Sequence, residues 1–340
     1  MGSDAARLRR RAFVCATLLT VLGGCATWRD ADTAQTQALL ATPPAGLPRQ
    51  VRLDATPFHP QTELQCGPAT LAMLLGAAGR PTSPEALTPE VFVPGRGGSL
   101  QVEMLAAARR HDAIGTRLPP RLDALLPSLA AGQPVGVMLN LGLSIAPLWH
   151  FAVVVGYDLD REDMLLRSGE TRELRMPLRT FERTWARSQH WAFVVLPPEE
   201  VPVAAALPAV REGRLGFGRV APAARAAVAW RSALQRWPDD VVLGMGLGNS
   251  LLAAGDTPGA MGTFEGLAQA TDSAAAWNNL AHLRLQTGDR AGATTAARRA
   301  VQRAATAEPT LLATAQATLA EVEAAVKVKV QVQAAPSPRP

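Results

Sequence analysis

Gln65-Cys66-Gly67-Pro68-Ala69-Thr70, continued by an apolar run to Ala78, is the stretch on which the reading of this chain turns. Cys66 opens a helical pattern, and Pro68 suits a first helical turn, where its missing N–H costs nothing. A thiol at a helix N-terminus meets the positive end of the dipole and free backbone N–H groups, and both favour the thiolate. Gly67 is expected to let backbone or substrate come close. Far downstream, Trp149-His150-Phe151 begins a strand-like run, Ala152-Val153-Val154-Val155-Gly156-Tyr157. An imidazole mounted on a rigid strand can take the thiol proton and later return it to a leaving amine. Cys66 and His150 are therefore the two halves of a nucleophilic Cys/His site.

The other two of the three cysteines, Cys15 and Cys25, fall in an N-terminal segment patterned for export. Arg7, Arg9, Arg10 and Arg11 form a basic start, and Ala12 to Leu22 an apolar stretch too short to span a bilayer. Leu22-Gly23-Gly24-Cys25 resembles the bacterial lipobox, which implies cleavage before Cys25, lipidation of that residue and stable membrane attachment. Ala26 rather than Asp follows, which in lipoproteins of Gram-negative bacteria implies outer-membrane sorting, with the protein facing the periplasm. Loss of residues 1–24 lowers the formal charge by three, from +5 to +2. The basic composition therefore does not argue for a nucleic-acid partner, and no Lys/Arg cluster interleaved with aromatics follows. Cys66 is left as the one free thiol, so a disulfide framework and a thiolate metal cluster are excluded, and no cofactor is expected.

Outward from the site, residues 25–50 are rich in Ala, Thr, Gln and Pro without an apolar period, as expected of a tether. Residues 51–197 read as one domain. Helices are expected over Cys66–Ala78, Leu100–Arg110 with Ser99 as its cap, and Arg121–Leu129. Strands are expected at Val135–Asn140, His150–Tyr157, Met164–Arg167 and Trp191–Leu196. Helices followed by a run of strands give an α+β class, the Cys helix packed on an antiparallel sheet. A Pro/Ala/Gly-rich linker, 198–222, leads to a helical region, 223–326, and a disordered tail, 327–340. Ala226, Trp230, Ala233 and Pro238 recur 34 residues later as Ala260, Phe264, Leu267 and Asp272, and Ala293, Ala297 and Ala300 follow after 33 more. That period and the Gly255-Asp256 and Gly288-Asp289 turns resemble the tetratricopeptide repeat, which implies a concave surface for a protein partner. Trp230, Trp237 and Trp277 fall at its packing positions.

Pro60-Gln61, Gln65-Cys66-Gly67-Pro68-Ala69 and the His150-Phe151-x-Val-Val-x-Gly-Tyr strand together resemble the papain-like cysteine peptidases that process bacteriocin leaders after a double glycine. The resemblance covers residues 55–197. It implies a papain-like fold, Cys66 as nucleophile, His150 as base, and a preference for small residues near the scissile bond. It also implies that Gln61, five residues ahead of Cys66, donates to the oxyanion together with the Cys66 backbone N–H. The family orients its His with an Asp at the end of the next strand. Here Leu165-Leu166-Arg167-Ser168-Gly169-Glu170 offers none, and Ser168 falls nearest that place. Asp158 lies in the preceding turn, and Glu170 one residue too late. His59 is a candidate to line the cleft, and Gly95-Arg96-Gly97-Gly98 to form a mobile loop near it, since the stretch lacks the strand and the Lys-Ser/Thr of a phosphate loop. The expected activity is hydrolysis of a peptide or protein substrate. Two alternatives stay open: an inactive peptide-binding scaffold, and a Cys/His acyltransferase on the same fold.

Overall fold

The structure, a computed structural model, describes residues 33–61 and 65–334, with side chains through residue 327. The chain forms two compact units. The first holds the described residues up to Ala108, then Gly115–Val195 and Pro202–Ala206. The second holds Arg109–Ile114, Leu196–Val201 and the described residues from Leu207 onward. The N-terminal helix α1 (Ala34–Ala41), strand β1 (Gln50–Arg52), α2 (Cys66–Ala77) and α3 (Pro84–Val91) come first. A two-residue hairpin pairs β2 (Phe92–Val93) with β3 (Gly98–Ser99), and α4 (Gln101–Arg110), β4 (Ile114–Arg117) and α5 (Leu122–Ala130) follow. The run then closes with β5 (Val135–Asn140), β6 (Trp149–Asp158), β7 (Asp163–Ser168), β8 (Thr171–Pro177), α6 (Leu178–Ala186) and β9 (Ala192–Leu196).

Seven strands build one sheet in the order β4-β9-β5-β6-β7-β8, and β1 adds to β6. The long β6 organises it. Its first half pairs antiparallel with β5, setting His150 opposite Leu139, and its end pairs with β1, setting Val51 opposite Tyr157. β7 runs along its other edge and turns into β8 through Gly169 and Glu170. From Phe151 to Tyr157 every residue of β6 is buried, which is why that stretch is continuously apolar rather than alternating. Helix α2 packs on β5 and β6. Gly67 to Leu75 are all buried, so α2 is an all-round apolar core helix. This is the antiparallel α+β arrangement expected from the sequence.

Helices α3 and α6 and strands β1–β4 and β8 are absent from the sequence reading, and three further segments differ from it. Within the expected tether, Ala34–Ala41 is a helix packed on α5 and α6. Its open N-terminus is closed by the buried Glu182 of α6, whose carboxylate accepts from the backbone N–H of Gln35 (2.9 Å) and Thr36 (2.7 Å). No local pattern announces a cap supplied from 147 residues away. The expected linker contains α7 (Leu207–Gly218), with Val210 and Phe217 buried. The expected disordered tail begins inside a helix that runs to Ala334, while residues 335–340 lie outside the described residues. The export segment and Cys25 also lie outside them.

The second unit is helical: α7, α8 (Ala223–Leu234), α9 (Val241–Ala253), α10 (Thr257–Thr271), α11 (Ala274–Gln286), α12 (Arg290–Thr306) and α13 (Leu312–Ala334). Successive helices pack together as in tetratricopeptide repeats. The turns expected at Gly255-Asp256 and Gly288-Asp289 are built by left-handed glycines, and Asp256 and Asp289 cap the next helices at Gly259 N–H and Gly292 N–H. The side chain of Phe264 lies directly against Gly248, leaving no room there for a Cβ, and Leu267 does the same at Gly244. Trp230 is buried, and half-buried Trp277 donates from Nε1 to Asp272 at 2.8 Å.

Candidate functional site

A cleft of about 840 Å³ opens in the first unit. Cys66 reaches it from the first residue of α2, His150 from β6, Gln61 from the chain before α2, and Gly97 to Gln101 from the β2–β3 hairpin and the start of α4. The structure thus brings Cys66, His150 and Gln61 to one cavity. Phe151 closes that wall, packed edge to face on Trp191 at 5.8 Å.

Ser168 ends β7, and its Oγ lies 2.9 Å from Nε2 of His150. The hydroxyl can donate or accept, so the contact holds the ring in place while allowing either tautomer. In the tautomer whose Nε2–H donates to the hydroxyl, Nδ1 is left as the acceptor for a proton from the cleft. The next residue, Gly169, clamps Gln61 twice: its carbonyl accepts from Gln61 N–H (3.0 Å), and its N–H donates to Gln61 Oε1 (3.1 Å). Because the Gly169 N–H can only donate, the side-chain oxygen of Gln61 must face it, and Nε2 points the other way. That Nε2 is buried and has no hydrogen-bond partner among the described residues. It is a buried amide N–H₂ that the fold leaves without an acceptor, on a residue lining the same cleft as the thiol. Sequence reasoning did not single out Gly169. Its only local signal is the Ser-Gly-Glu turn between two strands.

The electrostatics come mainly from burial. Burial pushes the Cys66 thiol above its ordinary range, while backbone N–H groups of Phe151, Gly67 and Cys66 itself pull it back down. Burial pushes the His150 imidazole below its ordinary value. Desolvation penalises the charged form of each group, so burial favours the neutral thiol and the neutral imidazole.

Other expectations resolve differently. Ser99 does not cap α4: its Oγ is buried without a partner and sits over Gly67, where an added Cβ would lie 2.1 Å from that oxygen. The close approach that Gly67 permits is thus made by a side chain of the cleft wall. The Gly95–Gly98 stretch does line the cleft, through Arg96, Gly97 and Gly98, and forms a turn with Gly97 at φ +60°. His59 is not among the lining residues. The Asp158 carboxylate is used in its own turn, accepting from the N–H groups of Asp160 and Arg161 at 3.1 Å. Among the described residues, no cluster of His, Cys, Asp or Glu could hold a metal ion.

The chain is similar to several solved structures. One is a Bacillus anthracis chain designated a C39-like peptidase, at 20% identity over 43% of this chain and 97% of that one, with a TM-score of 0.39. Another is the peptidase domain of Streptococcus ComA, at 19% identity over 42% and 98%, with a TM-score of 0.35. The Sgt2 TPR domain from Aspergillus fumigatus matches at 14% identity over 38% and 85%, with a TM-score of 0.34. No curated protein matches the chain. Residues 50–192 match the family described as Peptidase_C39 like family. That match covers α2, the sheet strands β1 and β4–β8, and the described lining of the cleft, and the helical repeats lie outside it.

Proposed function

We propose that this chain is a lipid-anchored cysteine peptidase that hydrolyses peptide bonds through Cys66 and His150, with its helical repeats engaging a protein partner. The anchor is Cys25, in a membrane facing the periplasm. The catalytic domain spans residues 51–197 and the repeats 223–326. The observation that carries the reading is the unpartnered Nε2 of Gln61, clamped by Gly169 in the same cleft as the thiol and the Ser168-bound imidazole.

The chemistry follows from these contacts. As the sulfur of Cys66 attacks the substrate carbonyl carbon, the thiol proton passes to Nδ1 of His150. The carbonyl oxygen gains charge and accepts hydrogen bonds from Gln61 Nε2 and the Cys66 backbone N–H. Collapse of the tetrahedral adduct breaks the C–N bond, and the amine leaves with the proton from His150. Water then adds to the thioester, His150 takes its proton, and the acid departs as the thiol is restored. Ser168 is a positioning residue: it holds the ring without supplying a negative charge. A second reading, a peptide receptor without turnover, draws on that same hydroxyl standing where the related peptidases carry a carboxylate.

A peptide library incubated with the protein and analysed by mass spectrometry decides between them. Hydrolysis leaves free carboxylates, transfer to an acceptor leaves adducts, and a receptor leaves the peptides unchanged. Turnover that survives in Cys66→Ala would remove the proposal.

A further inference from the structure

Between β5 and β6, Leu141-Gly-Leu-Ser-Ile-Ala-Pro-Leu148 contains no charged residue, and its large side chains face water. Leu143 is 63% exposed, Leu148 62% and Ile145 92%. The segment is held rigidly. Asn140 Oδ1 accepts from the N–H groups of Gly142 (3.0 Å) and Leu148 (2.9 Å), and Leu143 and Ala146 exchange backbone hydrogen bonds. Arg187 Nη1 donates to the carbonyls of Asn140 (3.3 Å) and Gly142 (2.6 Å). At Gly142 a Cβ would lie 2.5 Å from the Ala146 carbonyl oxygen, so only glycine lets the hairpin pinch this tightly. The result is an apolar tip presented on a braced stem, a feature that marks an interaction surface. Leu141, Leu148 and Trp149 line the cleft, whereas Leu143 and Ile145 do not. A peptide bound in the cleft leaves the tip uncovered.

The position of the N-terminus indicates what covers it. Glu182 caps the start of α1, and Gln35 Nε2 lies 3.3 Å from Nε2 of His190. In the same stretch, Arg187 braces the hairpin, and Ser188 Oγ donates to the carbonyl of Met138 at the hairpin's base. The start of α1 and the hairpin thus hang from one short segment, residues 182–190. Thr33 stands eight positions after Cys25. Eight residues reach at most roughly 28 Å, so an acyl chain on Cys25 keeps this end of the unit close to the bilayer. Arg183 and Arg187, both exposed on that segment, suit lipid headgroups.

We propose that Leu143 and Ile145 insert into the lipid surface, holding the mouth of the Cys66 cleft against the membrane. The proposal rests on the anchoring at Cys25, so its test supplies the anchor by other means. The chain from Ala26, which keeps every described residue, carries an N-terminal polyhistidine and is held on nickel-chelating lipid in phosphatidylethanolamine/phosphatidylglycerol vesicles. In a Cys66→Ala background, Ile145→Cys is labelled with the environment-sensitive fluorophore NBD. Insertion gives a blue-shifted emission that doxyl-labelled lipid quenches, and Leu143→Ser weakens both. Emission that stays open to aqueous iodide and indifferent to doxyl lipid overturns the proposal. So does shielding by an added apolar peptide without any effect of lipid, since the tip is then a peptide contact. In the untethered chain with native Cys66, Leu143→Ser with Ile145→Ser lowers vesicle partition by about tenfold or more, and a partition that does not change overturns the proposal. Whether Cys25 itself is acylated is read separately, by palmitate incorporation into the full chain and its Cys25→Ala variant.

Discussion

Replacing Gln61 tests the site without knowledge of the natural substrate. The side chain does two things: Oε1 accepts from Gly169 N–H at 3.1 Å, and Nε2 is kept buried and unpartnered, on a residue that lines the same cleft as Cys66. Gln61→Ala removes both, whereas Gln61→Glu keeps the length and the Gly169 contact but removes the donor. Loss of one oxyanion donor slows acyl transfer by about 100-fold or more, roughly 3 kcal/mol of transition-state stabilisation. The lost Gly169 hydrogen bond costs only about 1 kcal/mol of fold stability, because Gly169 is only half-buried and its N–H can be hydrated once the partner is gone. The assay is pre-steady-state acylation of Cys66 by p-nitrophenyl acetate, in which the carbonyl oxygen becomes an oxyanion. Alkylation by iodoacetamide is the control, because displacement at carbon develops no oxyanion. Both variants should lose acylation and keep alkylation. If acylation in Gln61→Glu stays within about threefold of the parent while alkylation is unchanged, the argument that this amide is the oxyanion donor is refuted.

The remaining expectations follow from the same contacts. Ser168→Asp puts a carboxylate beside Nε2 of His150, raises the imidazole pKa and speeds acylation by about tenfold, while Ser168→Ala slows it by several-fold, about 1 kcal/mol; a pH–rate profile reads both. The alkylation rate of Cys66 should rise with a midpoint above the ordinary thiol value of about 8.5, since burial dominates its environment, and should change little in His150→Ala. A reactive plateau reaching acid pH, lost in His150→Ala, would instead establish an ion pair. His150 and His190 are both lowered by burial, so the unfolded chain binds more protons than the folded one at acid pH. Their contribution to stability is complete above about pH 6.5 and is lost as pH falls through the folded values, so urea titrations of His150→Gln should show a shallower acid limb.

Much of the site was legible because its chemistry is local. A thiol before Gly-Pro at the start of an apolar run, and a His at the head of a buried strand, carry their signals in adjacent residues, and the structure brings both to one cleft. The core strands were legible for the same reason, as continuous apolar runs. Strands β1, β4 and β8 were not: β8 is mostly exposed and β1 pairs only with the last residues of β6, so neither carries a buried face to read, while the buried β4 has only four residues, Ile-Gly-Thr-Arg, too few to show a pattern.

The sequence by itself determined the α+β class, the order of catalytic candidates and the helical period, since these depend on residue type and spacing along the chain. Only the tertiary structure decided the rest. Glu182 caps a helix from 147 residues away, so a stretch with no amphipathic pattern of its own becomes ordered. Arg225 donates to Asp112 from 113 residues away, tying Arg109–Ile114 into the helical unit. Gly169 fixes which end of the Gln61 amide is left unpartnered. Each is a hydrogen bond or ion pair between distant residues, and such partners are set by where the fold brings the backbone, which no local pattern encodes.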